Sequence, residues 1–190
     1  SFGLTTLKDK HVKIAGQKIK FSFKGKKGVY HDIELKNKKL AKAVQNCQDI
    51  PGKELFQFYN EDGSRQAIDS GMINDYIKEI SGSDFTAKDF RTWSGTVNAL
   101  IAFKEIGIAE TDKEYKSNIK QALENVAAHL GNTPSVCRKY YVHPLIVNLY
   151  ENHSIKKYLD ELDAIEMDDG KTGLTREERI VMKILETEKI

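Results

Sequence analysis

The sequence predicts an α+β fold: a small three-stranded antiparallel sheet followed by a mainly helical bundle. Three observations carry that expectation. Residues 11–35 alternate apolar and polar side chains with period two. From about residue 37 the apolar spacing becomes that of a helix. Turn-forming strings of Gly, Asn, Asp and Ser separate the helical stretches.

The sheet comes first. Val12 and Ile14, then Ile19, Phe21 and Phe23, then Ile33 and Leu35 form one apolar face, broken by turns at "AGQK" and "GKKG". The second turn, Gly25-Lys26-Lys27-Gly28, holds two lysines on a Gly-bounded tip. The helical stripes follow. Met72, Ile73, Tyr76, Ile77 and Ile80 make one. Tyr115, Ile119, Ala122, Leu123, Val126, Ala127 and Leu130 make the cleanest. Ile155, Tyr158, Leu159, Leu162 and Ile165 make a third, and Ile180, Val181, Ile184 and Leu185 a fourth. All four read as core. Breakers lie at "NEDGS" (60–64), "SGSD" (81–84), "GNTP" (131–134) and "DDGKTG" (168–173). The chain therefore reads as one domain over 1–190, with a β-meander over 1–36, a helical body over 37–166 and a terminal helix over 174–190.

The totals narrow the function classes. With 39% hydrophobic and 31% charged residues, the chain has a globular composition. No apolar run approaches the roughly 20 residues that cross a bilayer, and the first residues, "SFGLTTLKDKH", do not resemble a signal peptide. No membrane partner is expected. Cys47 and Cys137 are the only cysteines and lack metal-ligand spacing. Free thiols in a reducing, cytoplasmic setting are the expectation, with no metal and no cofactor. A first residue of Ser rather than Met reads as processing or as a piece of a longer protein.

Charge is unevenly spread. Residues 1–31 hold eight lysines against a single acid, Asp9, a net of +7, whereas residues 151–190 hold eleven acids against seven bases, a net of −4. A basic end fits either a polyanion partner or a strand edge guarded by lysines.

Two segments carry candidate chemistry. In "DFTAKDFRTW" (84–93), Thr86 and Asp89 fit a capping box, so a helix should start near Ala87. Lys88 and Arg91 then sit three residues apart on its first turns, where the helix dipole disfavours cations. A bound phosphate would offset this; so would a local carboxylate. In "LGNTPSVCRKYYVHP" (130–144), Gly131 suits a helix end and Thr133-Pro134 a helix start, leaving Asn132 in the turn. Tyr140 and Tyr141 follow directly on Arg138 and Lys139. The pair is read either as packing or as a nucleophile aimed at phosphate.

Four segments in this order resemble the catalytic domain of type IB DNA topoisomerases of the small bacterial and poxvirus kind: "SFGLTTLKDKHV" (1–12), "FKGKKGVYH" (23–31), "FTAKDFRTWSGT" (85–96) and "LGNTPSVCRKYYVHP". "ELFQFYNEDG" (54–63) and "GLTREER" (173–179) support it. The resemblance implies an isomerase that cuts one strand of double-stranded DNA through a 3′-phosphotyrosyl bond, lets the duplex swivel and reseals it, without ATP or metal. It makes Tyr141, nine residues after Asn132, the nucleophile, and Tyr140 its neighbour. It makes Arg91 the phosphate-binding arginine and Lys26 the general acid. Asn132 stands where many relatives have His. Lys24, Lys27, Lys88, Arg138 and Lys139 become DNA contacts. It further implies a monomer, associated with the nucleoid. The family's first catalytic arginine and its DNA clamp domain would precede residue 1, so weak activity is expected of this chain alone. The other readings are a tyrosine site-specific recombinase, which usually shows His-x-x-Arg where this chain has Lys88-Asp-Phe-Arg91, and a non-catalytic DNA-binding module.

The residue types suit the chemistry. A phenol of pKa about 10 needs cationic neighbours to ionise. An arginine fork binds two phosphate oxygens and stays charged. A crowded lysine can give up its proton to a leaving oxygen.

Overall fold

The structure is a computed structural model of the chain, described here for residues 2–165 and 173–188. It divides into two units, Ser1–Thr86 and Ala87–Ile190. Together they are α+β, with the three-stranded antiparallel sheet first and helices after it.

In the first unit, β1 (Val12–Ala15), β2 (Lys18–Lys24) and β3 (Tyr30–Lys36) form a meander in sequence order. The register pairs Val12 with Phe21 and Phe21 with Ile33, so the apolar positions share a face, as the period-two spacing requires. On the opposite face Lys20 pairs with Asp32 at 2.9 Å and Lys18 with Glu34 at 3.1 Å. Lys8 lies 3.7 Å from Glu54. Part of the basic end is thus neutralised by its own carboxylates. Asn37 caps α1 (Lys38–Gln48) by accepting from the Leu40 amide at 2.9 Å. Ala41 and Val44 of α1 join Leu7, Val12, Ile19, Phe21 and Leu55 in a small core.

Two features of this unit differ from the sequence reading. Between α1 and α2 the chain makes a two-stranded hairpin, β4 (Gln57–Tyr59) and β5 (Arg65–Ala67), turned by the "NEDGS" segment. Its strands are too short for alternation to reveal. The stripe Met72–Ile80 does lie on a helix, α2 (Ser70–Ser81), but none of it is fully buried, and Tyr76 and Ile80 are 61% and 64% exposed. Periodicity identifies an apolar face without fixing what covers it.

The second unit is helical: α3 (Ala87–Ile106), α4 (Asp112–Leu130), α5 (Pro134–Tyr140), α6 (Pro144–Glu151), α7 (Lys156–Ala164) and α8 (Arg176–Thr187). The other three stripes are its core, as expected. Helix boundaries follow local chemistry. Thr111 and Glu114 form a capping box on α4, and Gly131 closes it at φ 64° in the left-handed region. Thr175 and Glu178 form a second box on α8. The "DDGKTG" breaker lies outside the described residues apart from Gly173. No helix among the described residues is long and apolar enough to cross a membrane.

Tyr150 centres this core. Its ring stacks on Phe103 at 4.1 Å, and its hydroxyl donates to the Gly107 carbonyl at 2.6 Å and accepts from Asn118 at 2.8 Å. Tyr150→Phe leaves both partners without that oxygen. It is expected to lower stability by about 1–3 kcal/mol, read as a lower urea midpoint with an unchanged slope.

Candidate active site

Helix α3 opens the site. It carries Lys88 and Arg91 on its first turns and, one turn on, Thr92, Gly95 and Thr96. After Gly131, Thr133 caps α5 by accepting from the Val136 amide at 3.4 Å, with Pro134 at the first helical position. α5 carries Arg138, Lys139 and Tyr140 and ends at Tyr141, whose amide, like that of Val142, donates to the Cys137 carbonyl at 2.9 Å.

Here the backbones of α3 and the tyrosine segment meet. A methyl group at Gly95 would collide with the Tyr141 carbonyl oxygen and lie 3.0 Å from its carbon. The Thr92 hydroxyl reaches the Tyr140 carbonyl at 3.4 Å, and the Thr96 hydroxyl accepts from the His143 amide at 3.0 Å. Arg91, four residues before Gly95, lies on the same helix face. Its guanidinium sits 5.0 Å from the centre of the Tyr141 ring. It also donates to the Leu130 carbonyl at 2.9 Å, and the Asn132 side-chain amide donates to that same carbonyl at 3.3 Å. The acceptor of this Arg91 hydrogen bond is thus a neutral carbonyl.

Tyr141 is half-buried and packs on the core, whereas Tyr140 is 48% exposed. Lys88 and Lys139 approach the Tyr140 ring at 5.8 and 5.1 Å. Arg138 instead pairs with Glu151 at 3.1 Å. Buried Cys137 lies close by. Desolvation pushes its thiol pKa up, and the Arg91 charge pulls it partly back.

Lys24, Lys26 and Lys27 belong to the first unit. Lys24 ends β2, and Lys26 stands exposed on a one-turn 3-10 helix spanning Lys26–Gly28. Gly28 adopts φ 80°, and the Gly25 amide closes the turn on the Val29 carbonyl at 2.7 Å. Beneath the tip, Phe23 and His31 stack at 5.0 Å.

The sequence reading did not single out Thr92, Gly95 or Thr96. A glycine inside a helix, which costs roughly 1 kcal/mol against alanine, was the available signal of a close backbone approach. Nor did it foresee that Trp93 donates to Glu178 at 2.8 Å, tying α8 to the helix that bears Arg91. That hydrogen bond, with one from the Thr175 amide, holds the Glu178 carboxyl below the usual carboxylate range. A depressed pKa means stabilisation that is present above the unfolded value, about 4.3, and lost as pH falls through the folded one. Glu178→Gln keeps the shape and removes the titration. The variant should therefore lose less stability than the parent over that acid window in denaturation followed against pH.

Residues 1–167 match the family model "Eukaryotic DNA topoisomerase I, catalytic core". DNA topoisomerase 1B of Acanthamoeba polyphaga mimivirus is 32% identical over 160 residues, 80% of this chain and 48% of the relative. DNA topoisomerase 1B of Vaccinia virus (strain Copenhagen) is 27% identical over 172 residues, 88% of this chain and 50% of the relative. DNA topoisomerase I of Monkeypox virus is 26% identical over the same length, again 88% and 50%. The chain spans about half the length of the curated relatives it matches. The family model takes in the lysine hairpin, the Arg91 helix and the turn from Asn132 to Tyr141 alike, and the chain belongs to the DNA topoisomerase I catalytic-core family.

Proposed function

We propose that this chain carries the strand-cutting and resealing chemistry of a type IB DNA topoisomerase, acting as a monomer on double-stranded DNA to relax supercoils. The observation that carries the reading is the Arg91 guanidinium over the Tyr141 ring, with Asn132 bonded to the same carbonyl as Arg91. A cation over the phenol ring, with an uncharged donor anchored on the same carbonyl as that cation, supports phosphoryl transfer to tyrosine.

In this reading the Tyr141 oxygen attacks the phosphorus of one strand. The bond from phosphorus to the tyrosine oxygen forms as the bond to O5′ breaks. The phenol proton passes to water, and O5′ takes a proton from the Lys26 ammonium. Arg91 holds the non-bridging oxygens through two N–H groups, and Asn132 donates one uncharged hydrogen bond. Resealing is the reverse: the 5′-hydroxyl attacks and the phenol leaves. One phosphodiester replaces another, so the exchange requires no nucleotide hydrolysis. Lys24, Lys27, Lys88 and Lys139 contact backbone phosphates, and Arg138 joins them through donors left over from its Glu151 pair. Contacts of this kind make binding salt-dependent and weakly selective for sequence.

Two experiments test the roles. On a short nicked duplex that traps the cleaved state, Tyr141→Phe is expected to abolish the covalent protein–DNA adduct and Tyr140→Phe to retain it; the reverse result moves the nucleophile by one residue. Lys26→Ala is expected to slow cleavage by about 10²–10⁴-fold. A substrate with sulfur in place of O5′ should restore the rate, because a thiolate leaves without a proton. A variant equally slow on both substrates would assign the general acid elsewhere.

A further inference from the structure

We propose that Thr96 is a positioning residue for the nucleophile: its buried hydroxyl fastens the segment Tyr140–His143 to α3 and so sets where the Tyr141 phenol points relative to Arg91. The inference rests on the reading of Tyr141 as nucleophile. Thr96 is 2% exposed and lies in the middle of a helix, where a hydroxyl usually folds back on the carbonyl four residues earlier. It does so here, donating to the Thr92 carbonyl at 2.8 Å. That bond uses its one proton and leaves an oxygen lone pair facing outward from α3. The lone pair takes the His143 amide at 3.0 Å, across 47 residues of chain.

The placement bears on reactivity. His143 caps α6, so its own amide precedes that helix and gains no intrahelical partner. The Thr96 oxygen supplies the acceptor. Thr92, Gly95 and Thr96 then meet Tyr140, Tyr141 and His143 in order along one face of α3. Arg91 stands one turn before Gly95 on the same rigid rod. The hydroxyl therefore fixes the phenol in the frame of the guanidinium, without touching DNA. A displacement of about 1 Å in such a group can cost around 10²-fold in rate.

Thr96→Val keeps the volume and removes the hydroxyl. It is expected to slow covalent adduct formation on the nicked duplex by about ten- to a hundredfold, with the affinity for uncleaved duplex within twofold. Thr96→Ser should return the rate to within about threefold of the parent, because the oxygen is restored. Amide exchange at His143 should rise at least tenfold in the valine variant and not in the serine variant. Should valine prevent folding, Thr96→Ala carries the same comparison against serine. A folded valine or alanine variant that cleaves at the parental rate overturns the proposal, as does equal slowing by serine. If Tyr141→Phe keeps the adduct, the assignment of the nucleophile falls and this inference with it. If Tyr141→Phe loses the adduct while Thr96→Val keeps its rate, only the positioning role falls.

Discussion

The backbone of Tyr141 lies against the backbone of α3 at Gly95 with no space for a single methyl group between them. Much of the second unit's candidate site depends on that approach. A helix presents residues four apart on one face, so a contact at Gly95 dictates that the side chain over the tyrosine segment is that of Arg91. Any larger residue at 95 would push the segment outward and break the register of its threonine contacts. Glycine's entropic cost in a helix interior is thereby offset by a geometry no other residue permits.

The electrostatics follow from the same juxtaposition. Two cations on the opening turns of α3 face an unfavourable dipole. Arg91 escapes much of that penalty by bonding the Leu130 carbonyl at the end of α4, where the partial charge is negative and a cation is favoured. One helix terminus compensates for another. The lysines of the first unit are held differently. Lys18 and Lys20 sit opposite carboxylates across the sheet, and the tip residue Lys26 is lifted clear of that pairing by a glycine turn.

Legibility in the sequence tracked the range of the interaction. Elements governed by neighbours were readable: the meander from its alternation, α4 from its apolar stripe and Gly131, and the start of α5 from the Thr133-Pro134 pair. The adjacency of Arg91 and Tyr141 was not readable from spacing, which left Tyr141 open between packing and chemistry; the resemblance to a family supplied that assignment. Contacts between distant residues were opaque. Trp93 and Glu178 are 85 residues apart, Thr96 and His143 are 47, and no periodicity connects them. Arg138 shows the same limit. The resemblance made it a DNA contact, and nothing in the spacing pointed to its pairing with Glu151 on the next helix. Exposure of the α2 stripe was equally invisible, because an apolar face looks the same in sequence whether or not another element covers it.

Trp93, two residues along α3 from Arg91, is the only tryptophan in the chain, and its indole N–H donates to the Glu178 carboxylate on α8. Ultraviolet emission excited at the red edge of the protein's absorption therefore comes from one fixed point on the helix that bears the arginine. Changes in that light on adding a nucleic acid would report on this spot rather than on an average over the molecule, with no dye attached.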